Sequence, residues 1–329
     1  MYIGIYMKFL ELVSINPYLN LAIEEYLLEK AEEDTFILWQ NEPSVVVGKN
    51  QNPYAEVKID LCNERGIHIV RRITGGGAVY HDLGNVNYSF ISSSRASGID
   101  FDYFTRPIIN SLYMLGVNCS LSGRNDLILE NGKKISGNAQ HSSHGRVLHH
   151  GTLLFDSDLT VLDEILNVDP EKLKSKAVRS ARARVANIKD YCNKGLNISD
   201  FKRHIKSSIV EFFNAHEISS PQNGEIEMLY SRNCSAEWIF NPSKLLSSYN
   251  IIRKKRFDFG TVEINLTLSA GVITDSKILG DFFEKSSVSE FEELMKGKTV
   301  SEVISEDSID ISNFILGMSR EDLRELLLS

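Results

Sequence analysis

The chain has 329 residues, a net charge of −8 and 42% hydrophobic residues. That length exceeds one ordinary core and implies two domains, and the acidic balance argues against nucleic acid as a main partner. No apolar run reaches membrane-spanning length. Cys62, Cys119, Cys192 and Cys234 are scattered without a CxxC pair. This points to a reducing, cytoplasmic setting and away from a disulfide frame or a cysteine zinc site.

Residues 1–15 alternate apolar and polar side chains before Asn16-Pro17. They read as a first strand, without the basic flank or cleavage site of a signal peptide. Residues 20–30 carry apolar positions at helical spacing. Residues 36–39 and 44–48 read as strands joined at Asn41-Glu42-Pro43. Residues 67–70 lead as a strand into three glycines, and residues 86–91 alternate as their expected neighbour. Residues 101–115 predict a helix closing at Gly116. Residues 127–130 and 133–136 flank Asn131-Gly132, a strong hairpin signal in which both turn positions need positive φ. Residues 147–155 predict a further strand, and residues 199–218 an amphipathic helix with Phe201, Ile205, Ile209, Phe212 and Phe213 on its apolar side. Residues 257–268 and 272–279 predict a hairpin around Ser269-Ala270-Gly271. Helices are expected at 287–295 and 319–328, the latter capped by Ser319 with Asp322 three residues on. The fold class is α+β: mixed or antiparallel sheets with flanking helices, plus a small α/β unit at the C-terminus. The expected domains are 1–245 and 248–329.

The run RRITGGGAVYHDLGNVNYSF at 71–90 carries the first chemical signal. Gly75, Gly76 and Gly77 let backbone N–H groups approach a ligand closely. Arg72 can fork onto carboxylate or phosphate oxygens. Neither common glycine motif fits. Ala78 and Val79 stand where a phosphate loop needs Lys and Ser/Thr, and Tyr80 stands where a dinucleotide fingerprint needs glycine. The triplet alone fits a hairpin corner or bulge equally well.

The second signal, NDLILENGKKISGNAQ at 125–140, decides between them. Lys134 falls near the start of the returning strand, with Ser136 facing the same way. A lone lysine beside a turn is ordinarily solvated, but Ser136-Gly137-Asn138-Ala139 offers no apolar face and suits a surface pressed against a ligand. Lys134 then supplies a mobile point charge to oxygens that gain charge in a reaction. His149-His150-Gly151-Thr152 offers a third wall, onto which only one of the adjacent histidines can face. Asp126 offers a carboxylate to Mg²⁺ beside phosphates. His81, His141, His144, His149 and His150 cluster in sequence, but the absence of HExxH and of nearby cysteines argues against zinc. No cysteine lies in a motif that would lower its pKa, so a Cys–His nucleophile is disfavoured.

Together RRITGGGAVYHDLGN, Asn125-Asp126, KKISGNAQ and HHGTLLFDSDL resemble the lipoate–protein ligase A family, in order and spacing, over nearly the whole chain. KSKAVRSARARVANI at 174–188 resembles the family's adenylate-binding loop, here with Ser180, Arg182 and Arg184. The resemblance implies a biotin/lipoate ligase-like catalytic domain with an accessory domain. It implies two steps: lipoate and ATP give lipoyl-AMP and pyrophosphate, and a lysine of a lipoyl domain or of glycine cleavage H protein then takes the acyl group. Carried over, Arg72, Gly77, Ala78, Val79, Tyr80 and Lys134 contact ATP. Lys134, Gly75, Gly76 and His150 contact lipoate, Lys134 is catalytic, and Mg²⁺ at Asp126 accompanies the nucleotide. No membrane or nucleic acid partner is implied. Two departures stand out: Asn241 after Trp238-Ile239-Phe240, where glycine is common, and the basic run Arg253-Lys254-Lys255-Arg256. The basic run reads as a solvated strand edge or as a contact for acidic acceptor domains. The alternatives are a lipoyl or octanoyl transferase that works through a cysteine thioester, and a binding module without catalysis.

Overall fold

The computed structural model describes residues 7–93, 99–123, 125–167, 184–192, 195–244, 249–305 and 309–329. Its strands are β1 (Lys8–Glu11), β2 (Thr35–Trp39), β3 (Ser44–Val47), β4 (His68–Arg71), β5 (Val79–His81), β6 (Asn85–Ser92) and β7 (Cys119–Ser122). They continue as β8 (Asp126–Leu129), β9 (Lys134–Ser143), β10 (Arg146–Leu154), β11 (His216–Glu217), β12 (Ile251–Phe257), β13 (Gly260–Ser269) and β14 (Val272–Gly280). An eight-stranded mixed sheet has the order β11-β1-β2-β6-β10-β9-β8-β7. A small sheet, β4-β3-β5, faces it, and β12-β13-β14 forms a third.

Local chemistry sets the element ends. The first helix, Pro17–Lys30, starts three residues before the expected position. Asn16 Oδ1 accepts from the amides of Tyr18 and Leu19 at 3.0 Å each, and Pro17 is preorganised for the first turn. The helix predicted to end at 218 runs only from Ile198 to Phe213, because Asn214 turns left-handed at φ 48° and releases the chain to pair as β11 with β1. Phe212 is accordingly 42% exposed and not part of the core. The C-terminal helix Arg320–Leu328 has the expected capping box between Ser319 and Asp322.

Four expectations about strands and their turns change. β6 does not pair with β4; it lies antiparallel between β2 and β10, while β4 runs parallel to β3. The helical turns at Pro53–Glu56 and Ile59–Glu64 supply the crossover that a parallel partner needs. β5 then folds back antiparallel on the other edge of β3, so the glycine loop bridges both neighbours of β3. The β8–β9 turn has positive φ only at Gly132, not at Asn131, whose Oδ1 accepts from the Lys133 amide at 3.1 Å. Leu127 pairs with Ser136 but Ile128 with Lys134, an extra residue in β9 that breaks strict alternation. Ser136 is therefore buried and away from the cavity described below, not aligned with Lys134. At the C-terminus, residues 257–259 close β12 and turn, and the hairpin strand starts at Gly260.

One core packs the Phe101–Met114 and Ile198–Phe213 helices on the large sheet, and another packs the Pro17–Lys30 helix against its opposite face. The third sheet and its helices enclose a separate core around Val262, Ile264, Phe291 and Leu326. Arg71 ties the layers together. Its guanidinium donates to the carbonyls of Gly48, Lys49 and Gln51 at 2.8–2.9 Å and to those of Trp238 and Ile239. Replacing it leaves five carbonyls without their cation. We expect Arg71→Met to lose about 3–5 kcal/mol of stability in urea denaturation; a loss below about 1 kcal/mol would show that water replaces the guanidinium.

Candidate active site

Between the small and large sheets lies a cavity of about 110 Å³. Its floor is β6, β10 and β9; the glycine loop and Val46 form the roof. Arg72, Gly76, Gly77, Ala78 and Val79 line it from the loop side, and Asn125, Lys134, Gly137 and Asn138 from the hairpin side. His150, Gly151 and Thr152 provide the predicted third wall.

Arg72 acts first on its own loop. Its NH2 donates to the carbonyls of Gly75 at 2.7 Å and Gly77 at 2.8 Å, NH1 to Val46 O at 2.9 Å and Nε to Thr74 Oγ1 at 2.9 Å. Burial lowers its pKa to about 10, so it remains charged at neutral pH. With the carbonyls turned back onto Arg72, the amides of Gly77 and Ala78 have no hydrogen-bond partner among the described residues. The loop also needs Gly48, where a Cβ would lie 2.0 Å from the Gly76 carbonyl. Gly75 is turned away: a Cβ there would press on the Phe282 carbonyl. Tyr80 also points away, into the core of the small sheet, as strand alternation next to Val79 requires.

On the opposite wall Lys134 is 30% exposed, with Nζ 2.8 Å from Asp126 Oδ1. Its aliphatic stem crosses Gly137, where an added Cβ would come within 2.7 Å of the amine. Gly137 is thus the bed of the lysine head. The Lys134 carbonyl accepts from Ala186 N at 2.9 Å, so the end of the predicted adenylate-loop segment runs beside the lysine. Ser180 and Arg182 lie outside the described residues, and Arg184 is exposed at their edge. Asp126 is engaged by Lys134, and no cluster of three metal-binding side chains exists among the described residues. The described groups do not fit a resident magnesium site.

The two histidines diverge as expected. His149 is buried among Phe90, Phe101 and Phe104, whereas His150 lines the cavity. His150 Nδ1 lies 2.9 and 3.0 Å from the two oxygens of Glu24, and its Nε2 is 2.8 Å from Thr74 Oγ1. Ser89 Oγ donates to Glu24 at 2.5 Å and accepts from Trp39 Nε1 at 2.9 Å. A continuous buried chain therefore runs from Trp39 through Glu24, His150 and Thr74 to Arg72. Sequence reading missed Glu24, Trp39, Thr74, His81 and Asn87. The available signal was β6, where Asn85, Asn87 and Ser89 alternate with Val86, Tyr88 and Phe90 yet every residue is buried.

The segment that follows β14 touches this site. Phe282 O accepts the Gly76 amide at 3.0 Å, and Glu284 takes Lys49 Nζ at 2.6 Å and Asn50 Nδ2 at 3.0 Å. The basic run on β12 is largely paired within its own unit: Lys254 with Glu263, Lys255 with Glu325 and Arg256 with Asp281.

Residues 16–210 match the family described as "Lipoyl protein ligase A/B catalytic domain", and residues 247–327 match "Bacterial lipoate protein ligase C-terminus". The chain is 36% identical to lipoate-protein ligase LplJ of Bacillus subtilis, covering 98% of this chain and 100% of that one. It is 39% identical to lipoate–protein ligase 1 of Staphylococcus aureus at the same coverage. Among solved structures, P. falciparum LipL1 in complex with lipoate superposes with a TM-score of 0.80 at 24% identity over 98% of both chains, a likeness of fold. A bipartite lipoate protein ligase from Thermoplasma acidophilum, solved with its E2 lipoyl domain, gives 0.61 at 28% identity over 72% of this chain and 96% of that one.

Burial holds His81 near a pKa of about 3 and pushes His149 well below its ordinary value. Both stay neutral in the fold while their unfolded counterparts take up protons below pH about 6.5. The unfolded state then binds more protons, so stability is complete above that pH and falls as pH drops toward 3. The expected slope approaches 1.4 kcal/mol per pH unit per histidine. Denaturation midpoints from pH 7 to 4 check this, and a flat profile would contradict the buried neutral assignment.

Proposed function

This chain belongs to the lipoyl protein ligase A/B family, and from that premise we propose that it activates free lipoate with ATP and transfers the acyl group to a lysine of a lipoyl domain. The supporting observation is the juxtaposition in one cavity of a mobile ammonium, Lys134, two unclaimed amides, Gly77 and Ala78, and an apolar wall of Leu21, Trp39 and Val46.

In the first step a lipoate carboxylate oxygen bonds to the α-phosphorus, and the bond to the β-phosphate oxygen breaks, releasing pyrophosphate. Charge builds on the α-phosphoryl oxygens, where Lys134 and the loop amides donate. In the second step a neutral acceptor amine bonds to the acyl carbon. The oxygen of that carbonyl becomes an oxyanion beside the same Lys134, AMP leaves, and the amine proton passes to solvent. Holding both groups in one slot supplies orientation as well as charge. We assign ATP contacts to Arg72, Gly77, Ala78, Val79, Tyr80 and Lys134, with Arg72 serving by shaping the loop and Tyr80 by its backbone alone, since its side chain packs in the small-sheet core. Lipoate contacts fall to Lys134, Gly76 and His150, with Gly75 setting the loop from behind against Phe282, and Ser180, Arg182 and Arg184 cover the adenylate. Magnesium would enter on the nucleotide's phosphates, its natural oxygen ligands. The catalytic part is 1–245 and the accessory part 248–329; acceptors are lipoyl domains and glycine cleavage H protein, in a cytoplasmic setting.

A cysteine-dependent transferase is less well supported, because none of the four cysteines lines the cavity. The deciding test is lipoate-dependent ATP–pyrophosphate exchange without acceptor. We expect exchange in the wild type and a loss of about 10²–10³-fold in Lys134→Ala, with the melting temperature nearly unchanged. Absence of exchange in the wild type would overturn the ligase reading. Gly137→Ala, which displaces the lysine head, should slow exchange while leaving the fold intact; wild-type rates would show that the amine works from another position.

A further inference from the structure

We propose that Asp126 keeps Lys134 from acylating itself: it ties the amine as a hydrogen-bond donor, so that Lys134 attracts the oxygens of the acyl phosphate without taking the acyl group. This rests on the ligase reading above and assigns Asp126 as a positioning residue that reserves the acyl group for the acceptor.

The register of the β8–β9 hairpin brings the two side chains together. Asp126 pairs with Gly137 and Leu127 with Ser136, but Ile128 pairs with Lys134. The residue skipped on β9 turns Lys134 to the face that Asp126 and Gly137 share. An unbroken ladder would set Lys134 opposite Leu129, on the face that Leu127 and Leu129 bury in the core. Gly137 leaves the space for the lysine head. A Cβ there would lie 2.7 Å from Lys134 Nζ, 2.9 Å from its Cε and 3.8 Å from Asp126 Oδ1. Nζ rests 2.8 Å from Asp126 Oδ1, while Lys134 lines the cavity. Asp126 is not among the lining residues, so the tie draws the amine toward the hairpin edge. No other carboxylate among the described residues pairs with this amine.

Magnitudes show why a restraint is needed. The second step consumes a lysine amine, and Lys134 carries the same group beside the acyl carbonyl. An ordinary lysine amine is neutral in about one molecule in 10³ at neutral pH. A nucleophile held in line with its electrophile acts at an effective concentration of about 10⁵ M or more. Together these give about 10² M of reactive amine, far above any acceptor protein in solution. An untied Lys134 would therefore react before an acceptor docks. Its nitrogen would bond to the acyl carbon, the bond from that carbon to the phosphate oxygen would break, AMP would leave and the amine proton would pass to solvent. The product is an amide on the enzyme's own Lys134, a dead end. The tie opposes this twice. The amine donates to Asp126 as an ammonium, which has no lone pair, and its two remaining hydrogens stay available to ligand oxygens. A nitrogen drawn sideways also loses the alignment that gives a neighbouring nucleophile its advantage.

The test supplies lipoyl-AMP itself, without acceptor, at neutral pH and follows acylation of Lys134 by intact mass and peptide mapping. The preformed adenylate keeps the readout independent of the first step. We expect the wild type to stay largely unmodified. Asp126→Asn should gain one lipoyl group on Lys134 about fivefold faster or more, the factor that a pair of this exposure supplies. Asp126→Glu, which returns the carboxylate, should stay near the wild-type rate. Three results would overturn the proposal: equal rates in Asp126→Asn and wild type, an Asp126→Glu as reactive as Asp126→Asn, or a gain shared equally with Lys133 and other surface lysines, which would mean leaked adenylate. Where Asp126→Asn does not fold, the wild type decides, since acylation of its Lys134 as fast as transfer to a lipoyl domain would contradict the tie. Failure of the wild type to pass the group from lipoyl-AMP to a lipoyl domain would instead sink the ligase reading, and this inference with it.

Discussion

Arg72 donating to the carbonyls of Gly75 and Gly77 is the contact from which the rest of the site is built. Peptide groups are dipoles with two ends, and a cation that gathers the carbonyls on one side of a loop leaves N–H groups on the other. The guanidinium is fully enclosed, so its attraction for those carbonyls is little screened. An arginine that first reads as a ligand-binding fork thus works one layer back: it turns neutral backbone into an anion receptor. Arg71 does the same for the neighbouring segment, gripping Gly48, Lys49 and Gln51 from behind.

Opposite this rigid wall stands a movable one. Lys134 sits over a glycine, held at its tip, among the described residues, by a partly exposed aspartate, an interaction of modest strength. That arrangement suits a group serving two successive transition states at slightly different positions. The buried chain from Trp39 through Glu24 and His150 to Arg72 couples the two ends of the cavity. Trp39 at one end of the cavity and Arg72 at the other share one hydrogen-bond network.

Much of this was legible in the sequence. The Ser319 cap, the Asn-Gly turn region, the glycine triplet, Lys134 and the divergence of His149 from His150 all follow from local rules, because each depends on residues close in sequence. The misreadings were non-local. Nothing between residues 67 and 91 reveals that β4 and β6 belong to different sheets; that choice is made by the crossover after β3. The shared facing of Lys134 and Ser136 failed because one extra residue in β9 shifts the register. Glu24 reads as an ordinary solvated acid on a helix until the large sheet is seen to cover it.

The amide of Gly76 is already committed to the carbonyl of Phe282, just after β14 in the C-terminal unit. Any ligand oxygen that takes this amide must displace that carbonyl, so occupancy of the loop and seating of the C-terminal unit draw on one hydrogen. Thermodynamic reciprocity then applies: whatever free energy the seated unit subtracts from anion affinity, a bound anion subtracts equally from the seating. Two parts of the chain about two hundred residues apart are thereby linked through a single proton donor, with no intermediary needed.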